Sequence, residues 1–115
     1  MYPFSYAEVV EDSSENSRER DGEALDVSIA LLKKAEESGP ESVESVQAVY
    51  YATRLWSAFI EDLGRPENGL SQQLRAALIS VGISVMREAE RIRGGTSTSF
   101  RHLIEISTIV REGLR

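Results

Sequence analysis

The sequence predicts an all-α protein, a small bundle of about four helices with a mobile N-terminal segment. Three observations carry that expectation. Apolar residues recur at three- and four-residue spacing through most of the chain, and no stretch shows strict alternation. Glycine and proline cluster where those runs end, at Gly39-Pro40, Gly64-Arg65-Pro66, Asn68-Gly69 and Gly94-Gly95. The chain has 115 residues, 41% of them hydrophobic, which suits one domain with one modest core.

Residues 1–21 read as an N-terminal part and 22–115 as the bundle. The start, "MYPFSYAEVV", is short, aromatic and apolar. The following "EDSSENSRERDGE" is acidic, serine-rich and without large apolar groups. It has too little surface to bury against its ordering entropy, so it is expected to be mobile or weakly helical.

The first confident helix is predicted from about Gly22 to Ser38, with Leu25, Ile29, Leu32 and Ala35 on one stripe. Gly39 supplies a left-handed cap and Pro40 prevents continuation. A second helix is predicted from about Glu41 to Leu63. Its main stripe is Val46, Val49, Thr53, Trp56, Ile60 and Leu63, and Ala48, Ala52, Leu55 and Phe59 lie beside it. Two stripes are more than one helix contact requires. Gly64 stops this helix, Pro66 blocks its resumption, and Asn68-Gly69 turns the chain.

Ser71 is a good N-cap for a third helix, about Gln72 to Arg93. Its core stripe is Leu74, Leu78, Val81, Val85, Ala89 and Ile92, with Ile79, Ile83 and Met86 alongside. Gly82 sits mid-helix, where glycine costs about 1 kcal/mol against alanine. Close approach of another backbone is the expected compensation. Thr96 to Ser99 offer caps for a fourth helix, about Ser99 to Glu112, with Phe100, Leu103, Ile104, Ser107, Val110 and Leu114 inward.

The chemistry of the side chains points away from catalysis. His102 is the only histidine, so no Ser/His/Asp or Cys/His set can be assembled with conviction. Cysteine is absent, which excludes disulfides and thiolate metal sites and suits a reducing cytoplasm. Glu61-Asp62 and Glu88/Glu90 do not share a helix face, so they read as solvated charges rather than metal ligands or an acid/base pair. "RGGTSTSF" lacks the phosphate-loop spacing and reads as a helix cap. No cofactor, metal or catalytic residue is expected. The start lacks the pattern of a secretory signal, and no apolar run nears the roughly 18 residues of a membrane span.

Net charge is −6, divided unevenly. Residues 1–63 hold 5 Lys/Arg against 14 Asp/Glu, while residues 64–115 hold 8 Arg against 5 Glu. The acidic half disfavours nucleic acid through phosphate repulsion. The arginines of the basic half alternate with glutamates, as helix-surface ion pairs do. What remains is a small helical interaction protein with surplus apolar helix surface, which suits a partner's amphipathic helix laid in a groove. The competing reading buries all of that surface, in the core or in a homodimer. Trp56 fits core and groove alike from composition. Its place on the main stripe predicts core, and Phe59's place beside Leu55 predicts groove.

The chain resembles the FlaF family of alphaproteobacterial flagellar proteins over nearly its whole length. The opening Met1, Tyr2, Pro3 and Tyr6 is similar to the family's start. "LWSAFIEDLGRPENGLSQQLR" resembles its central block at Leu55, Trp56, Phe59, Arg65, Pro66, Glu67, Asn68, Leu70, Leu74 and Arg75. "LIEISTIVREGL" looks like its last helix. "EDSSENSRERDGE" matches no family motif. The resemblance implies a flagellum assembly factor that binds flagellin, by a terminal helical segment, as a cytoplasmic secretion chaperone and thereby promotes flagellin synthesis and export. The alternative it implies is post-transcriptional control of flagellin through its messenger RNA or the FlbT protein. On this reading Tyr2, Tyr6, Leu55, Phe59, Arg65, Pro66, Glu67, Asn68 and Leu70 are the expected partner-binding residues.

Overall fold

Helices in chain order make up the described residues: α1 (Tyr6–Ser38), α2 (Val43–Leu63), α3 (Gln72–Arg93) and α4 (Arg101–Gly113). The computed structural model describes residues 6–114, with side chains from residue 18 onward. Tyr2 therefore lies outside the described residues, as does the side chain of Tyr6.

The first helix starts at Tyr6 and not near Gly22. Between Tyr6 and Asp21 there is neither proline nor glycine, and the glutamates and arginines there are good helix formers. A ladder nucleated in the packed half can propagate upstream without burying anything. Gly39 ends the helix as expected, at φ +99°, with its N–H donated to the Ala35 carbonyl at 2.8 Å.

Ser42 is the true N-cap of α2, which moves its start from Glu41 to Val43. The Ser42 hydroxyl donates to the Gly39 carbonyl at 2.6 Å and accepts from the Ser45 N–H at 3.1 Å, so one side chain ties both helix ends together. α3 has the predicted bounds, with Ser71 accepting from the Leu74 N–H at 3.2 Å. Beyond it Gly95 takes φ +80° and the Thr96 N–H reaches back to the Arg91 carbonyl at 2.9 Å, closing the helix with a left-handed residue. Of the loop hydroxyls only Ser99 reaches α4, accepting from the Arg101 N–H at 3.4 Å. Thr96 and Ser97 bind back onto α3, at Arg91 and Glu88, and Phe100 opens α4 with no side-chain cap. Burial of the Phe100 ring anchors that end instead.

α2 packs between α1 and α3, α4 packs along α1, and α4 meets α3 only sparsely. α1 and α4 run antiparallel, pinned by Arg101–Glu36 at 2.8 Å near one end and Arg111–Asp26 at 2.9 Å near the other. Such surface pairs contribute little to stability, because solvent and salt screen them. They set register more than stability. Asp21 of α1 lies close enough to Asp62 of α2 for their charges to interact. α1 upstream of Asp21 thus runs past the α2–α3 connection, and the molecule extends 55 × 26 × 21 Å.

The core holds Leu25, Leu32 and Ala35 of α1, Ala48, Val49, Ala52 and Trp56 of α2, Val85, Ala89 and Ile92 of α3, then Phe100, Leu103 and Ile104. Two predicted core positions are exposed. Val46 lies off the inward stripe, which runs through Ser45, Val49, Ala52, Trp56 and Leu63, and is 69% exposed. Leu74 lies in the first turn of α3, beyond the end of α4, and is left exposed. Gly82 is explained by side chains rather than by a backbone. A Cβ there would stand 2.8 Å from Ile60 Cγ1 and 3.3 Å from Trp56 Cε3.

Gly82→Ala therefore sets a helix-propensity gain of about 1 kcal/mol against an overpacking cost of about 1–3 kcal/mol. We expect a net loss of about 1 kcal/mol by urea denaturation. Combined with Ile60→Ala, the loss should be less than additive. A more stable Gly82→Ala protein would mean that Ile60 yields at no cost.

Candidate functional site

The connection between α2 and α3 is a hydrogen-bonded unit. The Asn68 N–H donates to the Arg65 carbonyl at 3.1 Å, closing a turn with Pro66 at its second position, where a fixed φ is preorganised. Asn68 Nδ2 donates to the carbonyl and carboxylate of Asp62 at 3.3 and 3.2 Å, and its Oδ1 accepts from the Leu70 N–H at 3.0 Å. Arg75 reaches back from α3, its Nη1 donating to the Arg65 carbonyl at 3.0 Å. Arg65 pairs loosely with Glu61 and Asp62, at 3.6 and 3.9 Å. The turn thus fixes how α2 leaves and α3 enters. Pro66 and Glu67 face solvent, and so does Leu70.

Trp56 is core: it is 1% exposed and meets Phe59 edge-on, with ring centroids 5.3 Å apart and planes at 83°. Its indole nitrogen and the Ser28 hydroxyl are buried without a hydrogen-bond partner among the described residues. Leu55 and Phe59 are half-buried and packed against the core cluster. They offer edges to a partner rather than whole faces.

The freest apolar surface on α2 lies elsewhere. Val43, Val46 and Tyr50 stand at i, i+3 and i+7, and are 69%, 69% and 62% exposed. Arg54, one turn on, lies over the Tyr50 ring at 5.8 Å and donates to its hydroxyl at 3.3 Å. A shallow hollow of about 300 Å³ opens among Tyr50, Tyr51, Arg54 and Leu55. On α3, Ile83 is exposed, with Ile79 and Met86 half-buried beside it. The Ile79, Ile83 and Met86 stripe was visible in the sequence. The Val43, Val46 and Tyr50 stripe was missed because Val46 also fits the spacing of the core stripe. The signal available was the unbroken i, i+3, i+7, i+11 row ending in Arg54.

Nothing catalytic assembles around these residues. His102 is exposed on α4, and no group of three metal-ligating side chains occurs among the described residues. Among the described residues, no helix is long and apolar enough to cross a membrane. Among the described residues, the one carboxyl held above its ordinary range is Asp21, raised first by burial and then by the charge of Asp62, against the opposing pull of Arg20.

Compared with known proteins, the chain matches the family model described as "Flagellar protein FlaF" over residues 2–114. No curated protein and no solved structure is significantly similar to it.

Two outcomes follow from this geometry. Asn68→Ala removes both the acceptor and the donor that hold the turn, and we expect a loss of about 1–2 kcal/mol in chemical denaturation. Asn68→Asp should not restore it, because a second carboxylate would face Asp62. For Asp21, a raised folded-state pKa means that the charged form costs stability, a penalty absent once the carboxyl is protonated. Asp21→Asn should thus raise the melting temperature at neutral pH. The advantage should vanish as pH falls through the raised value toward the ordinary 3.8. An advantage that persists in acid would assign the effect to something other than charge.

Proposed function

The chain belongs to the FlaF family of flagellar proteins, and we propose that it binds flagellin as a cytoplasmic secretion chaperone, so promoting flagellin synthesis and export. The observation that carries this reading is the uncovered apolar surface on α2 and α3, in a protein whose described residues assemble no catalytic or metal-binding group. Terminal helices that pack together in a filament present apolar faces, and before export those faces must stay covered. A helix laid on another helix's exposed stripe covers them reversibly, by the same burial of apolar area that drives packing. The charged remainder of the surface keeps the complex soluble.

In this reading the Arg65–Asn68 turn acts by fixing the α2–α3 angle, and Leu70 extends the apolar surface at that end. Leu55 and Phe59 contribute their uncovered edges. Tyr2 and Tyr6 supply aromatic contacts from upstream.

Calorimetric titration with full-length flagellin and with flagellins truncated at either end tests the proposal. Full-length flagellin should bind, and loss of a terminal helical segment should abolish binding. Replacing residues 65–68 with Gly-Ser-Gly-Ser should weaken binding more than it lowers helicity. If the purified protein retains RNA or the FlbT protein but not flagellin, the regulatory alternative replaces this one.

A further inference from the structure

We propose that the outer groove between α2 and α3 seats a single amphipathic helix whose apolar stripe is flanked by carboxylates. The proposal rests on the flagellin reading above and names where on this protein that helix docks. Gly82 faces Ile60 and Trp56, so this contact line divides the α2–α3 pair into an inner and an outer side. On the inner side stand Val85, Ala89 and Ile92, all buried. At 100° per residue, Ile79, Ile83 and Met86 fall on the outer side of α3. The same count puts Val46 and Tyr50 on the outer side of α2, with Ile60 at the floor. These six residues make one apolar strip shared by two helices, and none is fully buried.

The charges at its rims choose the occupant. Counting outward from the Gly82 contact along antiparallel helices, Arg54 and Arg87 come about level, one on each rim. Both are exposed, and neither has a carboxylate partner among the described residues. Acidic groups along the same helices are already engaged: Glu88 pairs with Arg91, Glu90 accepts from Arg93, and Glu61 pairs with Arg65. Two guanidinium groups without a carboxylate partner among the described residues, one on each rim of an apolar strip, complement a helix carrying Asp or Glu on both flanks of its apolar face. They oppose a second copy of this chain, whose own Arg54 and Arg87 would approach the same rims.

Size leads to the same occupant. From Val46 to Ile60 the strip is about 20 Å long at roughly 1.5 Å per residue, which accommodates about four turns of helix. Such a strip buries a few hundred Å² on each side, short of the roughly 800 Å² per partner of a stable protein pair. A contact of that size holds one helix loosely, as a client due for release requires.

The test uses the full chain, full-length flagellin as the probe, and four variants. Ile83→Glu, Val46→Glu and the double Arg54→Glu/Arg87→Glu should each weaken binding about tenfold or more, with melting temperatures close to that of the parent. Leu74→Glu, exposed but on the other side of α3, should bind as the parent does. Affinity should fall with added salt in the parent and far less in the double arginine variant. If the strip variants stay folded and bind normally, the groove is wrong while the flagellin reading stands. If the parent itself does not bind flagellin, that reading fails and the groove falls with it. A parent that sediments as a dimer, made monomeric by Val46→Glu, would give the strip to a second copy and overturn the proposal.

Discussion

The contact between Gly82 and the pair Ile60 and Trp56 is the constraint on which the rest of the molecule depends. Because position 82 carries no side chain, α3 can seat directly on the largest side chain of the core. Everything on α3 is then oriented by that one approach. Val85, Ala89 and Ile92 turn inward, Ile79, Ile83 and Met86 turn toward the outer seam, and Arg75 is brought to the turn that precedes it. The propensity lost by a mid-helix glycine is offset by the packing of Trp56 and Ile60, and the turn built on Asn68 delivers α3 at the angle the contact needs.

The other half of the molecule is held differently. α4 lies on α1 through Phe100, Leu103 and Ile104, with an ion pair near each end, and touches α3 only sparsely. The bundle is therefore uneven in strength: tight along α1–α2–α3 and looser where α3 and α4 meet. That division matters for function, since the tight part carries the exposed apolar strip. A docking surface on the loose part would shift with every fluctuation of its neighbour.

The helix class and most of the punctuation were legible in the sequence, because glycine, proline and the capping serines act locally. Gly39, Ser71 and Gly95 each do there what their residue type predicts, and α3 begins and ends where its signals say. Errors arose where local signals underdetermine the outcome. The start of α1 lies at Tyr6 and not near Gly22, since composition speaks to burial and not to backbone continuity. Val46 and Leu74 fit an inward period yet lie outside, because helical spacing gives a stripe but not which stripe faces a neighbour, nor where that neighbour stops. Gly82 reads in sequence as the close approach of another backbone, but in the fold it is the side chains of Ile60 and Trp56 that fill the space. As for the candidate site, Arg65, Glu67 and Asn68 all invite local polar contacts in the turn, and Arg65 and Asn68 make them while Glu67 faces solvent. The covering of Leu55 and Phe59 by the protein's own core could not be read in advance, since it depends on how α2 is rotated.

The burial of Trp56 has a spectroscopic consequence. It is the only tryptophan in the chain, and it sits at the α2–α3 contact with Phe59 against its ring. Indole emission shifts to longer wavelength as its surroundings become more polar. The protein thus carries a native optical reporter of a single seam, with no second indole to dilute the signal. A ligand seated on the outer side of α2 and α3 leaves that emission blue, whereas separation of the two helices moves it red. Surface docking and opening of the bundle are therefore distinguishable in real time, without a label and in the unmodified chain.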